Sequence, residues 1–273
     1  MKKALKNYKK FILNKFKYIY IRSRYLKNHL PLIFAFRLIY ELISTELKYF
    51  LPKFKSAKYQ NYSFSKNMIK DSSRPTYYEN EYLFDEMDSF SLNVFNWEKF
   101  FNTSKLRYKS LKYLEIGCFE GRSSVYVLEN LKNAYCYFVD PFKEYYEMTE
   151  STNQNNYVAI YKNFLSNVNK FPNRYEIFKT TSKKFFETLD TTDKFDFIYI
   201  DGSHLSEDVY LDFLNADAHI DSNGYIVFDD FFWSWYPTLE DNPFFGITKF
   251  LYENRKKYKI IYLGEQLIIK KRS

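Results

Sequence analysis

From about residue 90 to its end, the sequence alternates short apolar runs with amphipathic stretches, and few folds accept that alternation. KYLEI (112–116), AYCYFVD (134–140), RYEIFKT (174–180), FDFIYID (195–201) and GYIVFDD (224–230) read as strands. They are short, rich in aromatic and β-branched residues, and bounded by turn residues. SSVYVLENL (123–131), SKKFFETL (182–189), SEDVYLDFLNADAHI (206–220) and NPFFGITKFLYENRKK (242–257) read as helices between them. YKIIYL and EQLIIKK, separated by Gly264, read as a closing hairpin. Strands alternating with helices predict an α/β fold, a doubly wound and mostly parallel sheet that the hairpin brings to seven strands.

Ligands of such sheets bind beyond the carboxyl ends of the strands, where the strand order reverses. Four of the predicted strand ends carry acids: Glu115, Asp140, Asp201 and the pair Asp229-Asp230. Several unpaired carboxylates in one crevice are costly, so a cation, a cationic ligand or polyol hydroxyls should sit among them. The turn E-I-G-C-F-E-G-R-S-S (115–124) follows a strand and opens a helix, with Gly117 and Gly121 allowing a tight turn. Phe119 stands where a dinucleotide-binding G-x-G-x-x-G has its second glycine, which argues against a pyrophosphate in that turn. Asp140 falls where an acid accepts hydrogen bonds from ribose hydroxyls.

E-I-G-C-F-E-G-R-S-S, F-V-D-P-F, F-D-F-I-Y-I-D-G-S-H and G-Y-I-V-F-D-D together resemble class I S-adenosylmethionine-dependent methyltransferases. The likeness is closer to the small-molecule O-methyltransferases of the catechol and macrolide-sugar type, and it covers about residues 110–270. It implies a Rossmann-like sheet and S-adenosylmethionine as cofactor. Glu115 and Gly117 would line its methionine part, Asp140 the ribose, Thr181 and Ser182 the adenine, with Phe119, Gly121 and Ser123 also bordering the cofactor. Asp201 would stand at the junction of cofactor and acceptor. In metal-dependent members an acid after the fourth strand and an acidic pair after the fifth hold a divalent ion. Here these are Asp201, Asp229 and Asp230, an oxygen set that suits Mg²⁺. The resemblance puts a base at His204, where lysine is the usual occupant. An imidazole titrating near neutrality suits that task. Capping of the next helix and metal ligation stay open for His204. Trp233, Trp235 and Tyr236 would face the acceptor, a hydroxyl of a small molecule or of a sugar or glycan. The polar stretch Lys143–Lys170, with Tyr145, Tyr146 and Tyr157, is a candidate lid.

The first 75 residues differ in kind from residues 76–273, the expected methyltransferase domain. Residues 1–70 hold 17 Lys and Arg against 2 acids, whereas the remainder holds 24 against 31. Apolar side chains recur at helical spacing at Leu32, Phe36, Ile39, Ile43 and Leu47, with Pro31 as an early position and Pro52 as a stop. Arg37, Glu41 and Glu46 interrupt this stretch too often for a membrane span. Three readings fit a basic, amphipathic extension: a helix docked on the domain behind it, a helix on an anionic membrane surface, or a nucleic-acid contact. Cys118 and Cys136 lack a metal-binding spacing and read as buried free thiols, which suits the cytoplasm. His29 and His219 read as structural. A metal-independent methyltransferase on the same fold, a nicotinamide oxidoreductase and a non-catalytic adaptor are the rival functions. A nucleic-acid methyltransferase is disfavoured, because Asp229-Asp230-Phe231-Phe232 lacks the prolines of the exocyclic-amine motif.

Overall fold

The computed structural model describes residues 10, 13–21, 32–55, 81–86, 88–143 and 157–273. The chain divides into two compact units, Met1–Thr76 with Tyr262–Gly264, and Tyr77–Ile261 with Glu265–Ser273.

In the first unit, residues 13–21 are helical and helix α1 spans Leu32–Lys55. It continues past Pro52, which was expected to end it. Its buried face is Phe34, Ala35, Leu38, Leu42 and Thr45. Phe36 and Ile43, both placed on the buried stripe by periodicity, are exposed. Apolar residues lie on both sides of this helix, so spacing alone could not choose the side that is covered. His29 and Pro31 lie outside the described residues, as do Tyr145 and Tyr146.

In the second unit, α2 (Val94–Ser104) precedes the alternation. Then follow β1 (Leu111–Ile116), α3 (Arg122–Asn130), β2 (Ala134–Val139), α4 (Tyr157–Val168), β3 (Tyr175–Phe178) and α5 (Ser182–Phe186). The chain continues through β4 (Phe195–Ile200), α6 (Ser206–His219), β5 (Ile220–Phe228), α7 (Pro243–Glu253), β6 (Tyr258–Leu263) and β7 (Leu267–Lys271). The seven strands form one sheet in the order β3-β2-β1-β4-β5-β7-β6. The pairs β1–β2, β1–β4, β2–β3 and β4–β5 are parallel, and β7 runs antiparallel to β5. The fold is thus the α/β sheet anticipated from the alternation, with its antiparallel C-terminal strands.

Strand order reverses between β1 and β4, so their carboxyl ends open the crevice where such sheets bind ligands. There Asp201 N donates to Ile116 O at 2.8 Å. Gly117 follows with φ +85°, and a Cβ on it would fall 2.0 Å from the Asp201 carbonyl oxygen. Only glycine allows both that conformation and that approach.

Helix α2 was not anticipated, because its buried residues carry the aromatic signature of a strand. Trp97, Phe100 and Phe101 are fully buried. The Trp97 ring meets Tyr199 edge-on at 4.9 Å and Phe197 at 5.6 Å, covering one face of the central strands.

Glu115 ties α3 to β1. Its carboxylate accepts hydrogen bonds from Ser123 Oγ, from Ser124 Oγ at 3.0 Å and from Tyr113 Oη at 3.0 Å. The side chain is completely buried, and burial pushes its carboxyl up to about 8 despite those donors. A carboxyl whose pKa is higher in the folded chain stabilises the fold below its unfolded value and loses that contribution as pH rises through the folded value. Urea unfolding should therefore show stability falling from about pH 4.5 to about pH 8, and Glu115→Gln should flatten that slope. Gly117→Ala should lower stability by about 2 kcal/mol or more, from backbone strain and the clash with Asp201.

Candidate active site

The crevice is built from the turns that follow β1, β2, β4 and β5. After β2, the Asp140 carboxylate organises the glycine turn. Its Oδ2 accepts from Cys118 N at 2.8 Å and Phe119 N at 3.0 Å, and its Oδ1 accepts from Phe142 N at 2.6 Å. Phe119 and Phe142 both take left-handed backbone angles, φ +49° and +44°. These acceptor bonds hold two non-glycine residues in that region. Burial raises the Asp140 pKa and the three N–H donors oppose the rise. Oδ1, with a single donor, keeps a lone pair for a further hydrogen bond.

After β3, Thr181 caps α5, its Oγ1 accepting from Lys184 N at 3.4 Å. Ser182 hydrogen-bonds Asp212 of α6, a carboxyl that burial pushes up to about 7. Gly117, Asp140, Thr181, Ser182 and Asp201 are all partly exposed, and Phe119 is exposed. Glu115, Gly121 and Ser123, also expected beside the cofactor, are placed otherwise: all three are buried. Glu115 and Ser123 spend their polar atoms on each other, because the side chains of alternate β1 residues point into the packed layer under α3.

After β4 and β5 the acids separate into two groups. The Tyr199 hydroxyl lies within hydrogen-bond distance of Asp201 Oδ2, at 2.9 Å, and of Asp229 Oδ2. One hydroxyl has one proton to donate, so the second contact requires a proton on a carboxyl. That agrees with the direction of both acids. Burial and then the neighbouring Asp229 and Asp230 hold Asp201 well above its usual range, and burial and then Asp230 push Asp229 up to about 7. Asp229 also receives Gln266 Nε2 at 2.8 Å and Asn93 Nδ2 at 3.5 Å on Oδ2, and the amide of Asp230 at 2.8 Å on Oδ1. Gln266 in turn accepts from Trp97 Nε1 at 2.7 Å.

Asp230 turns the other way, at φ +56°, and its Oδ2 lies 2.8 Å from His204 Nε2. Trp233 stacks on the His204 ring at 4.6 Å, and Trp235 stacks on Trp233 at 5.7 Å. Trp235 is 68% exposed, whereas Tyr236, expected over the site, is buried with its ring edge-on to Trp233. His204 does not cap α6. No side chain caps that helix; Ser203 braces the turn before it, its hydroxyl accepting from Leu205 N at 3.1 Å and donating to Asp208 Oδ2 at 2.7 Å. His219 is structural, with Nδ1 2.9 Å from Asp193 O.

Asp201, Asp229 and Asp230 line one small cavity with Val209 and Phe228, of about 10 Å³, room for a single water. The Mg²⁺ site expected from these three acids does not fit this arrangement. Asp229 has three N–H donors and the Tyr199 hydroxyl on its carboxyl group and Asp230 is committed to His204, and among the described residues no three His, Cys, Asp or Glu side chains are grouped to hold a metal ion. Tyr199, Gln266, Trp97 and Asn93 were missed. Tyr199 alone had a signal, since it stands two residues before Asp201 on the same strand face.

Residues 114–231 match a family model described as a methyltransferase domain. A comparison of the sequence with curated proteins finds no match. Among solved structures, similarity extends to the O-methyltransferase TomG from Streptomyces achromogenes, at 16% identity over 63% of this chain and 80% of that one, TM-score 0.45. An O-methyltransferase from Bacillus cereus is similar at 17% identity over 65% and 81%, TM-score 0.48. MycE, from the mycinamycin biosynthetic pathway, is similar at 13% identity over 68% of this chain and 51% of that one, TM-score 0.49.

Asp229→Leu should destabilise the fold by about 3 kcal/mol, since it strands the Tyr199, Gln266 and Asn93 donors. Asp230→Leu should cost less, about 1 kcal/mol, because the Asp230 carboxylate pairs with the partly exposed His204 and its loss relieves Asp201 and Asp229, leaving mainly the left-handed backbone cost. Urea unfolding of the two variants measures the difference.

Proposed function

Since residues 114–231 match a methyltransferase-domain model, we propose that the chain moves the methyl group of S-adenosylmethionine to a hydroxyl of a small molecule, a sugar or glycan before a phenol. The observation that carries this reading is the pair His204 Nε2–Asp230 Oδ2, 2.8 Å apart, at the carboxyl ends of β4 and β5. The bound cofactor would supply an activated methyl carbon, given up to the acceptor oxygen as the carbon–sulfur bond breaks and S-adenosylhomocysteine leaves. His204 takes the proton of the acceptor hydroxyl, and Asp230 orients the ring and stabilises the imidazolium that results. Trp233 covers one face of that ring by stacking. The chain has only to align the acceptor oxygen and to receive its proton.

The residues at the crevice suit the cofactor. The open lone pair on Asp140 Oδ1 accepts a ribose hydroxyl, and Gly117 and Phe119 border the same turn. Thr181 and Ser182 lie on the adenine side, and Asp201 at the junction with the acceptor. The exposed Trp235 ring, continuing the stack from His204 through Trp233, offers a face to a sugar ring. No step is assigned to a metal, because the carboxylates that would hold it are already engaged.

Calorimetric titration with S-adenosylhomocysteine and with NADH tests the class, and binding of S-adenosylhomocysteine alone is expected. Asp140→Asn should weaken that binding by about tenfold or more. Binding of NADH instead would overturn the reading. Against a panel of sugar and phenol acceptors, His204→Ala should lower methyl transfer by roughly 10²- to 10⁴-fold with S-adenosylhomocysteine affinity retained. Turnover should persist in chelator; loss of activity there, restored by Mg²⁺, would overturn the metal-free version.

A further inference from the structure

Helix α1 has two apolar faces, one buried and one exposed among the described residues. Phe34, Ala35, Leu38 and Leu42 are at most 5% exposed. On the opposite side Ile33 is 79% exposed, Phe36 61%, Tyr40 67% and Ile43 39%. Their spacing of three, four and three residues keeps these four side chains on one stripe, within about a quarter of the helix circumference. An uncovered stripe of two isoleucines and two aromatics on a helix is unfavourable in water. The helical stretch 13–21 repeats the composition, exposing Leu13 and Ile21 beside Lys17.

We propose that this stripe of α1 lies in the headgroup boundary of an anionic membrane. Charge selects the partner. The first 70 residues carry 17 Lys and Arg against 2 acids, so the segment that bears the stripe has an excess of cations that a phosphate-bearing surface attracts. The same excess repels a second copy of the segment. Nucleic acid would satisfy the cations and the aromatics, but Ile33 and Ile43 present no ring to stack on a base. A bilayer boundary accepts aliphatic and aromatic side chains alike, with Tyr40 suited to the headgroup level. The helix rests on the surface and does not cross it: among the described residues no helix is long and apolar enough to span a membrane. The inference stands apart from the methyl-transfer reading.

The test is co-sedimentation of the full chain with phosphatidylcholine vesicles, with and without phosphatidylglycerol. Binding to the anionic vesicles about tenfold or more tighter than to the neutral ones, and weakened by salt, is expected. Ile33→Ser, Phe36→Ser and Tyr40→Ser together should lower that binding by about tenfold, with the far-UV circular dichroism retained. Tyr40→Trp, a milder change, should add fluorescence that shifts to the blue on anionic vesicles and is quenched by brominated lipid. Equal binding to both vesicle types, undiminished binding by the triple variant, or added Tyr40→Trp fluorescence unmoved by lipid would overturn the proposal. So would a dimer that the triple variant dissolves, or tight binding of a single-stranded oligonucleotide with none to vesicles.

Discussion

The hydrogen bond from Asp201 N to Ile116 O holds together the carboxyl ends of β1 and β4, where the sheet changes direction. With Gly117 pressed against the Asp201 carbonyl, the two turns approach as closely as backbones can. Everything in the crevice depends on that closure. It sets the glycine turn beside Asp140, and it delivers Asp201 and His204 to the same edge of the sheet. A side chain at residue 117 would push the turns apart.

The acids at this edge divide their work by direction. Asp229 points inward and serves as a hub that gathers Tyr199, Gln266, Asn93 and, through Gln266, Trp97. It fastens α2 and the turn before β7 to the central strands. Asp230, one residue on, takes a left-handed backbone angle and so faces outward to His204. A buried carboxylate is tolerated when donors surround it, and an outward one is available for proton chemistry. Two adjacent residues of one type thus take an inward and an outward position, which the dipeptide Asp-Asp does not disclose.

Much of this architecture is legible in the residues. FIYID and GYIVFDD announce strands by their β-branched and aromatic content, and the acids at their ends announce the crevice. Strand boundaries shift by a residue or two, except that β5 begins at Ile220, four residues early. There Ile220 pairs with Phe195 before the register shifts between Phe195 and Phe197. Helix α2 escaped notice because its Trp and Phe residues mimic a strand. The buried side of α1 was mistaken because apolar residues surround that helix, and only the packed neighbours select a face.

Local sequence determined the order of strands and helices, the glycine at residue 117, and the presence of acids at four strand ends. These follow from short-range propensity and backbone sterics, which neighbouring residues set. Tertiary structure alone decided which acids stay open. Glu115 was closed by Ser123 and Tyr113, and Asp229 by Gln266 from 37 residues away and Asn93 from 136. A carboxylate's role depends on the donors that reach it. Those donors come from distant segments that only the folded sheet brings together.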